Sequence, residues 1–88
     1  MRKTTAKVIN RAGLHARAAA KLAALTSSFD SQIQIGHEKL VDGKSILSLM
    51  MLAAVKGTML NIIADGEDEE LAITAIVALI NNRFDEDE

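Results

Sequence analysis

The 88-residue sequence predicts an α+β fold: a four-stranded antiparallel sheet with all three helices on one face, in the order strand, helix, strand, strand, helix, strand, helix. Three observations predict it. Two-residue alternation and 3.6-residue periodicity take turns along the chain, separated by short breaks. The polar members of the alternating stretches, Lys7, Gln32, Gln34 and Asn61, would give the sheet a solvated outer face, which an antiparallel sheet tolerates. Glycines are single and spaced and prolines are absent, so no linker divides residues 1–88 and they read as a single domain.

Residues 2–9 alternate, with Thr4, Ala6 and Val8 facing one way and Lys3, Thr5 and Lys7 the other, as a half-buried strand does. Residues 10–14 contain Gly13 and read as a loop. From Ala16 the chain is rich in alanine, and Ala18, Leu22, Leu25 and Phe29 recur at helical spacing until Ser27, Ser28 and Asp30 close the helix. Residues 32–35 alternate again as a second strand. A turn over residues 36–39 leads to a short third strand at Leu40 and Val41, which ends at Asp42-Gly43. Ser45 is a good N-cap for a short helix over residues 46–52. A fourth strand over residues 59–64 puts Leu60, Ile62 and Ala64 on one face, and Asp65-Gly66 breaks it. The last helix begins in the acidic residues 67–70, where negative charge suits the helix dipole, and Ile73, Ile76, Val77, Ile80 and Phe84 form its buried stripe. The final Asp85-Glu86-Asp87-Glu88 reads as a solvated tail.

Composition narrows the function. Apolar residues make up 49% of the chain but aromatic ones only 2%, so the core must be aliphatic. A net charge of −2 and the absence of stacking aromatics argue against a nucleic-acid binder. With no cysteine, disulfides, thiolate nucleophiles and cysteine-based zinc sites are excluded, and two histidines are too few for a typical metal cluster. No signal peptide is visible, and no run approaches the roughly 20 apolar residues of a membrane span. A small cytoplasmic protein without cofactor or metal is expected.

The segment Gly13-Leu14-His15-Ala16-Arg17 places a histidine where a loop becomes a helix. The first N–H groups of that helix lack internal partners and carry the positive end of its dipole, which suits an arriving phosphate. Arg17 adds a guanidinium fitted to phosphate oxygens, and imidazole is easily held as a neutral nucleophile near neutral pH. His15 could thus be transiently phosphorylated, but His-x-Arg is common, and spacing alone favours a histidine that caps the helix with Arg17 a surface cation.

Gly13-Leu14-His15-Ala16-Arg17-Ala18-Ala19 resembles the phosphorylation-site signature of the HPr family, the histidine phosphocarriers of the bacterial phosphotransferase system. The stretch from Asp42-Gly43-Lys44-Ser45-Ile46 to Leu52 is similar to that family's short-helix region, and Lys56-Gly57-Thr58, a strand, then Asp65-Gly66-Glu67 also match, in family order and spacing. The resemblance implies an open-faced β-sandwich. It also implies that His15 takes a phosphoryl group, on Nδ1, from phosphoenolpyruvate-charged enzyme I and passes it to a histidine of an enzyme IIA domain. Arg17 would stabilise charge during transfer, and the backbone amides of Ala16 and Arg17 would bind the phosphate. The protein would be a stoichiometric carrier rather than an enzyme. Most of the family has proline where this chain has Ala18, which touches stability and leaves the chemistry intact.

Ser45 caps the short helix and also matches the serine that a dedicated kinase phosphorylates in some HPr proteins. Gly43-Lys44-Ser45 is not a phosphate-binding P-loop, because Glu38 stands where the earlier glycine would be. The short helix is apolar almost all round: Leu49 and Leu52 should turn inward and leave Ile46, Leu47 and Met50 partly exposed, a surface suited to partners. By the resemblance, that surface and the exposed side of the first helix (Ala16, Ala20, Lys21) would dock enzyme I and enzyme IIA. His37, in a turn, reads as a surface residue. Residues 76–86 and Met50-Met51-Leu52 look more like the nitrogen-related regulatory branch, often called NPr, than the sugar-transport branch. The competing reading is a non-phosphorylated adaptor that docks through Ile46, Leu47 and Met50. A monomer is expected.

Overall fold

The computed structural model describes residues 1–88 and has the predicted element order. Strand β1 is Arg2–Lys7, helix α1 Ala16–Ser27, β2 Gln32–Gly36, β3 Leu40–Asp42, α2 Ile46–Met51, β4 Met59–Asp65 and α3 Glu69–Asn81. The strands form one sheet in the order β1-β4-β2-β3, every neighbouring pair antiparallel. The register brings Ala6 opposite Leu60, Ile35 opposite Ile62 and Ile33 opposite Ala64, and all six side chains are buried. Lys3, Thr5, Lys7, Gln32, Gln34 and Asn61 are exposed on the other face. Helix α3 packs over β1 and β4, and α1 lies between α3 and α2, so the sheet has one covered face and one open face. The fold is the expected open-faced β-sandwich. No helix is long and apolar enough to cross a membrane.

The core is aliphatic apart from Phe84. Its details differ from the sequence reading in three places. On α1 the inward face is Ala18, Ala19, Leu22, Ala23 and Thr26, while Leu25 and Phe29 are half-buried at its edge. A small-residue face lets α1 sit close to its neighbours, and Thr26 satisfies its hydroxyl by donating to the Gly43 carbonyl at 2.7 Å. Helix α3 ends at Asn81, so Phe84 is buried but not as part of the helical stripe. It sits in a short 3-10 turn, Arg83–Asp85, that reverses the chain. The acidic end is solvated as expected at Asp85, Asp87 and Glu88, but it is not free: the reversal lays residues 86–88 back against the loop before α1, where Glu86 is half-buried and Glu88 pairs with Arg11 at 3.0 Å.

Asp68 precedes α3 but does not cap it. Its carboxylate reaches across to the α1–β2 connection instead, accepting from the Asp30 N–H at 2.8 Å, the Ser31 N–H at 3.0 Å and the Ser31 hydroxyl. The Ser31 hydroxyl, followed by the Asp30 amide, holds this carboxyl below its usual range. Glu69 is likewise held low by a hydrogen bond from the N-terminal ammonium and then by the Gly66 N–H. A carboxyl whose native pKa is depressed binds fewer protons folded than unfolded. It therefore stabilises fully above its ordinary value of about 4, and that contribution disappears as pH falls through the lower native value. The melting temperature is expected to hold from neutrality down to about pH 5 and to fall below about pH 4. In Asp68→Asn the fall should be shallower, from a lower neutral starting point; circular-dichroism melts across pH read both.

Candidate functional site

Gly13 delivers His15 to the start of α1. Its φ of +70° and the Ala54 carbonyl oxygen, which a Cβ would approach to 2.5 Å, require glycine there. The next residue, Leu14, is buried and donates to the same carbonyl at 2.8 Å, tying this loop to the segment that follows α2. His15 is the N-cap of α1, with extended backbone and its own carbonyl accepting the Ala19 N–H at 2.8 Å.

The ring has two distinct nitrogens with two distinct partners. Nδ1 accepts from the Arg17 backbone N–H at 3.3 Å, and Nε2 meets the carboxylate of Glu86. An acceptor Nδ1 carries no hydrogen, so the pattern assigns the proton to Nε2, where a carboxylate can only accept. The lone pair of Nδ1 thus points at the helix start, and the side chain is 34% exposed. The N–H group of Ala16, an exposed residue in the first turn of α1, makes no hydrogen bond within the protein. Ala18, where most of the family has proline, is fully buried.

His15, Arg11, Ala12, Arg17 and the acidic residues 86–88 line an open depression of about 730 Å³. Burial opposes ionisation of Glu86, but hydrogen bonds from Asn10 and His15, with the positive charge of Arg17, outweigh it and hold the carboxyl below its usual range. The sequence reading found His15, Arg17 and the Ala16 and Arg17 amides, and the structure brings them together. It missed Glu86 and Asn10. The one available signal was Phe84: an aromatic residue that must be buried returns the chain to the body of the protein and carries the next residues with it.

Ser45 caps α2, its hydroxyl accepting from the Ser48 N–H at 3.2 Å. Leu49 is buried and Leu52 half-buried, while Ile46, Leu47 and Met50 are exposed as expected. Met51 and Val55, at 75% and 66% exposure, extend the same apolar surface toward the loop bound to Leu14. Ala16 and Ala20 are exposed on α1. Lys21 is only partly free, because its ammonium donates to the Phe84 carbonyl at 3.1 Å and lies 3.8 Å from Asp85. His37 is a surface residue in the β2–β3 turn, with Nε2 at 3.1 Å from the Leu52 carbonyl.

A histidine at the mouth of a helix, an arginine lining the same depression and an adjoining exposed apolar surface are the arrangement expected of a small phosphate-carrying domain. Comparison with known proteins agrees. The family model "PTS HPr component phosphorylation site" matches residues 2–82. The chain is 53% identical over 83 residues to a phosphocarrier protein HPr of Pseudomonas aeruginosa, covering 92% of both. It superposes on the crystal structure of HPr-C-His from Thermoanaerobacter tengcongensis with a TM-score of 0.95 at 40% identity, covering all of both chains. An HPr dimer from the same organism matches with a TM-score of 0.77 at 41% identity, covering 98% of this chain and 100% of that one. The chain belongs to the HPr family and is a phosphocarrier of the phosphotransferase system.

Proposed function

We propose that His15 is the phosphoryl acceptor, charged by phosphoenolpyruvate-loaded enzyme I and discharged to a histidine of an enzyme IIA domain. The observation that carries this reading is the Nδ1 directed at the helix start, where it accepts from the Arg17 N–H at 3.3 Å. The Nδ1 lone pair attacks phosphorus in line with the donor nitrogen. Negative charge on the equatorial oxygens is met by the Arg17 guanidinium and by backbone N–H groups at the start of α1, including those of Ala16 and Arg17. These donors are already fixed by the helix, so little reorganisation is needed during the step. The phosphoryl group leaves by the reverse displacement, and the protein acts as a monomeric, stoichiometric carrier in the cytoplasm, one domain spanning residues 1–88, with no cofactor.

Residues 76–86 and Met50-Met51-Leu52 favour the nitrogen-related branch over sugar transport. Docking uses Ile46, Leu47 and Met50 with the flanking Ala20 and Lys21 of α1. Phosphorylation of Ser45 by a kinase would place a dianion beside this surface and weaken an acidic partner's grip without unfolding α2, since the helix N-terminus accommodates the charge.

The test is incubation with phosphoenolpyruvate and a bacterial enzyme I, followed by intact-mass measurement. Gain of one acid-labile phosphate supports the carrier, and no gain with a competent enzyme I supports the adaptor reading. Leu47→Glu is expected to raise the KM for enzyme I on the order of 10-fold while kcat changes little, because it removes binding energy far from the reacting atoms. Steady-state phosphorylation against carrier concentration measures it.

A further inference from the structure

Glu86 lies outside every motif at the start of α1, yet its carboxylate is the group that meets the far nitrogen of the His15 ring. We infer that Glu86 is a positioning residue for phosphoryl transfer: it holds the His15 proton on Nε2, fixes the plane of the ring and so presents Nδ1 as the nucleophile. This rests on the reading of His15 as acceptor.

The carboxylate is itself held. One oxygen takes the ring N–H, and the other accepts from Asn10 Nδ2 at 2.9 Å. Asn10 is fully buried, and the same Nδ2 donates to the Gly13 carbonyl at 2.8 Å. Ring, carboxylate, amide and loop thus form a closed circuit that returns to the segment delivering His15. Glu86 reaches this place because the chain reverses just before it. Arg83, Phe84 and Asp85 adopt φ of +58°, +51° and +64°, the left-handed region that residues with a Cβ seldom occupy. The buried Phe84 ring, the Lys21 bond to its carbonyl and the Asn82 bond to Asp85 at 2.7 Å keep the reversal in place. Strained backbone that the surroundings maintain beside a reactive group is a pointer to a working part.

The chemistry follows from the two tautomers. With the proton on Nδ1, the ring would set a donor against the Arg17 N–H and turn its lone pair toward the C-terminal segment. A carboxylate at Nε2 can only accept, so it excludes that form. During transfer the Nδ1 lone pair forms the N–P bond as the donor's bond to phosphorus breaks and its electron pair departs with the donor. No proton moves, and the positive charge that develops on the ring is offset by Glu86. On the onward step the Nδ1–P bond breaks, the pair returns to Nδ1 and the same tautomer is regenerated. A nucleophile or base oriented by a third group is the general logic.

The test uses the full chain with ¹⁵N-labelled histidine, comparing wild type, Glu86→Gln, Glu86→Ala and the charge control Asp87→Asn, each shown folded by circular dichroism. Ring ¹⁵N shifts near neutral pH report the tautomer, and initial rates with enzyme I and phosphoenolpyruvate report transfer. Wild type should show the Nε2–H form alone. Glu86→Gln, whose amide can turn its NH2 toward the ring, and Glu86→Ala should show a mixture. Both should be phosphorylated on the order of 10-fold more slowly at saturating carrier, with an unchanged KM for enzyme I. Asp87→Asn should match wild type in tautomer. Unchanged tautomer in both Glu86 variants, unchanged rate despite a changed tautomer, or a faster rate that marks the carboxylate as an obstruction would each overturn the inference. Failure of the acceptor reading looks different: wild type then takes up no phosphate whatever its tautomer.

Discussion

Replacing His15 by asparagine is expected to abolish phosphate uptake while leaving the fold intact. Besides its bond to Glu86, the imidazole has two jobs that can be separated. As N-cap it supplies an acceptor to the Arg17 N–H, and asparagine is among the best residues for that task. As nucleophile it supplies a nitrogen lone pair, which a side-chain amide cannot replace. His15→Ala loses both jobs and should cost about 0.5–2 kcal/mol of stability through the missing cap, whereas His15→Asn should stay close to wild type in its melt. His37 offers no rescue, because its exposed ring lies in the β2–β3 turn with a carbonyl for partner and no helix start beside it. Intact-mass measurement after treatment with enzyme I and phosphoenolpyruvate should show one phosphate on wild type and none on either variant. Residual uptake in His15→Asn would move the acceptor elsewhere.

Truncating Phe84 to alanine is expected to be the most destabilising single change in the C-terminal segment. The ring is fully buried and is the one aromatic group in an otherwise aliphatic core. Its removal leaves a cavity that neighbours fill only in part, at about 3–5 kcal/mol. A chain of this length has about 4–13 kcal/mol in all, so the loss is a large fraction of the total. The melting temperature should fall by at least about 12 °C. Phe84→Leu should recover most of it by restoring volume. Differential scanning calorimetry distinguishes the two, and near-wild-type melting of Phe84→Ala would mean that the turn does not depend on its plug.

Most of the architecture was legible because it rests on local periodicity. The alternation around Ile33 and Ile35 and around Leu60 and Ile62 reports a sheet with one wet face, and Ser45 and His15 announce helix starts by their chemistry. The half of the site formed by residues adjacent in sequence was legible for the same reason. Glu86 was not: it meets His15 through a chain reversal made by three residues in left-handed conformation, which nothing in Arg83, Phe84 or Asp85 advertises. The last member of the stripe assigned to α3 failed similarly. Helical spacing places Phe84 in line with Ile76 and Ile80, but its burial comes from a separate turn that happens to bring it to the same core. The partner of Asp68 was hidden too, because an acidic residue before a helix is normally read as its cap.

The position of β4 between β1 and β2 has a consequence for how the molecule is made. β1 has β4 as its sole neighbour, and Arg2 lies opposite Ala64, so the first strand synthesised waits for one of the last. While a ribosome is still making the middle of the chain, the only pairing within reach is the β2–β3 hairpin. The apolar side of residues 2–8 stays uncommitted until Asp65 has emerged. Closing so long a loop before any contact repays it slows folding. Assembly of this protein is therefore expected to be a single late event, completed after translation has nearly finished rather than built up strand by strand.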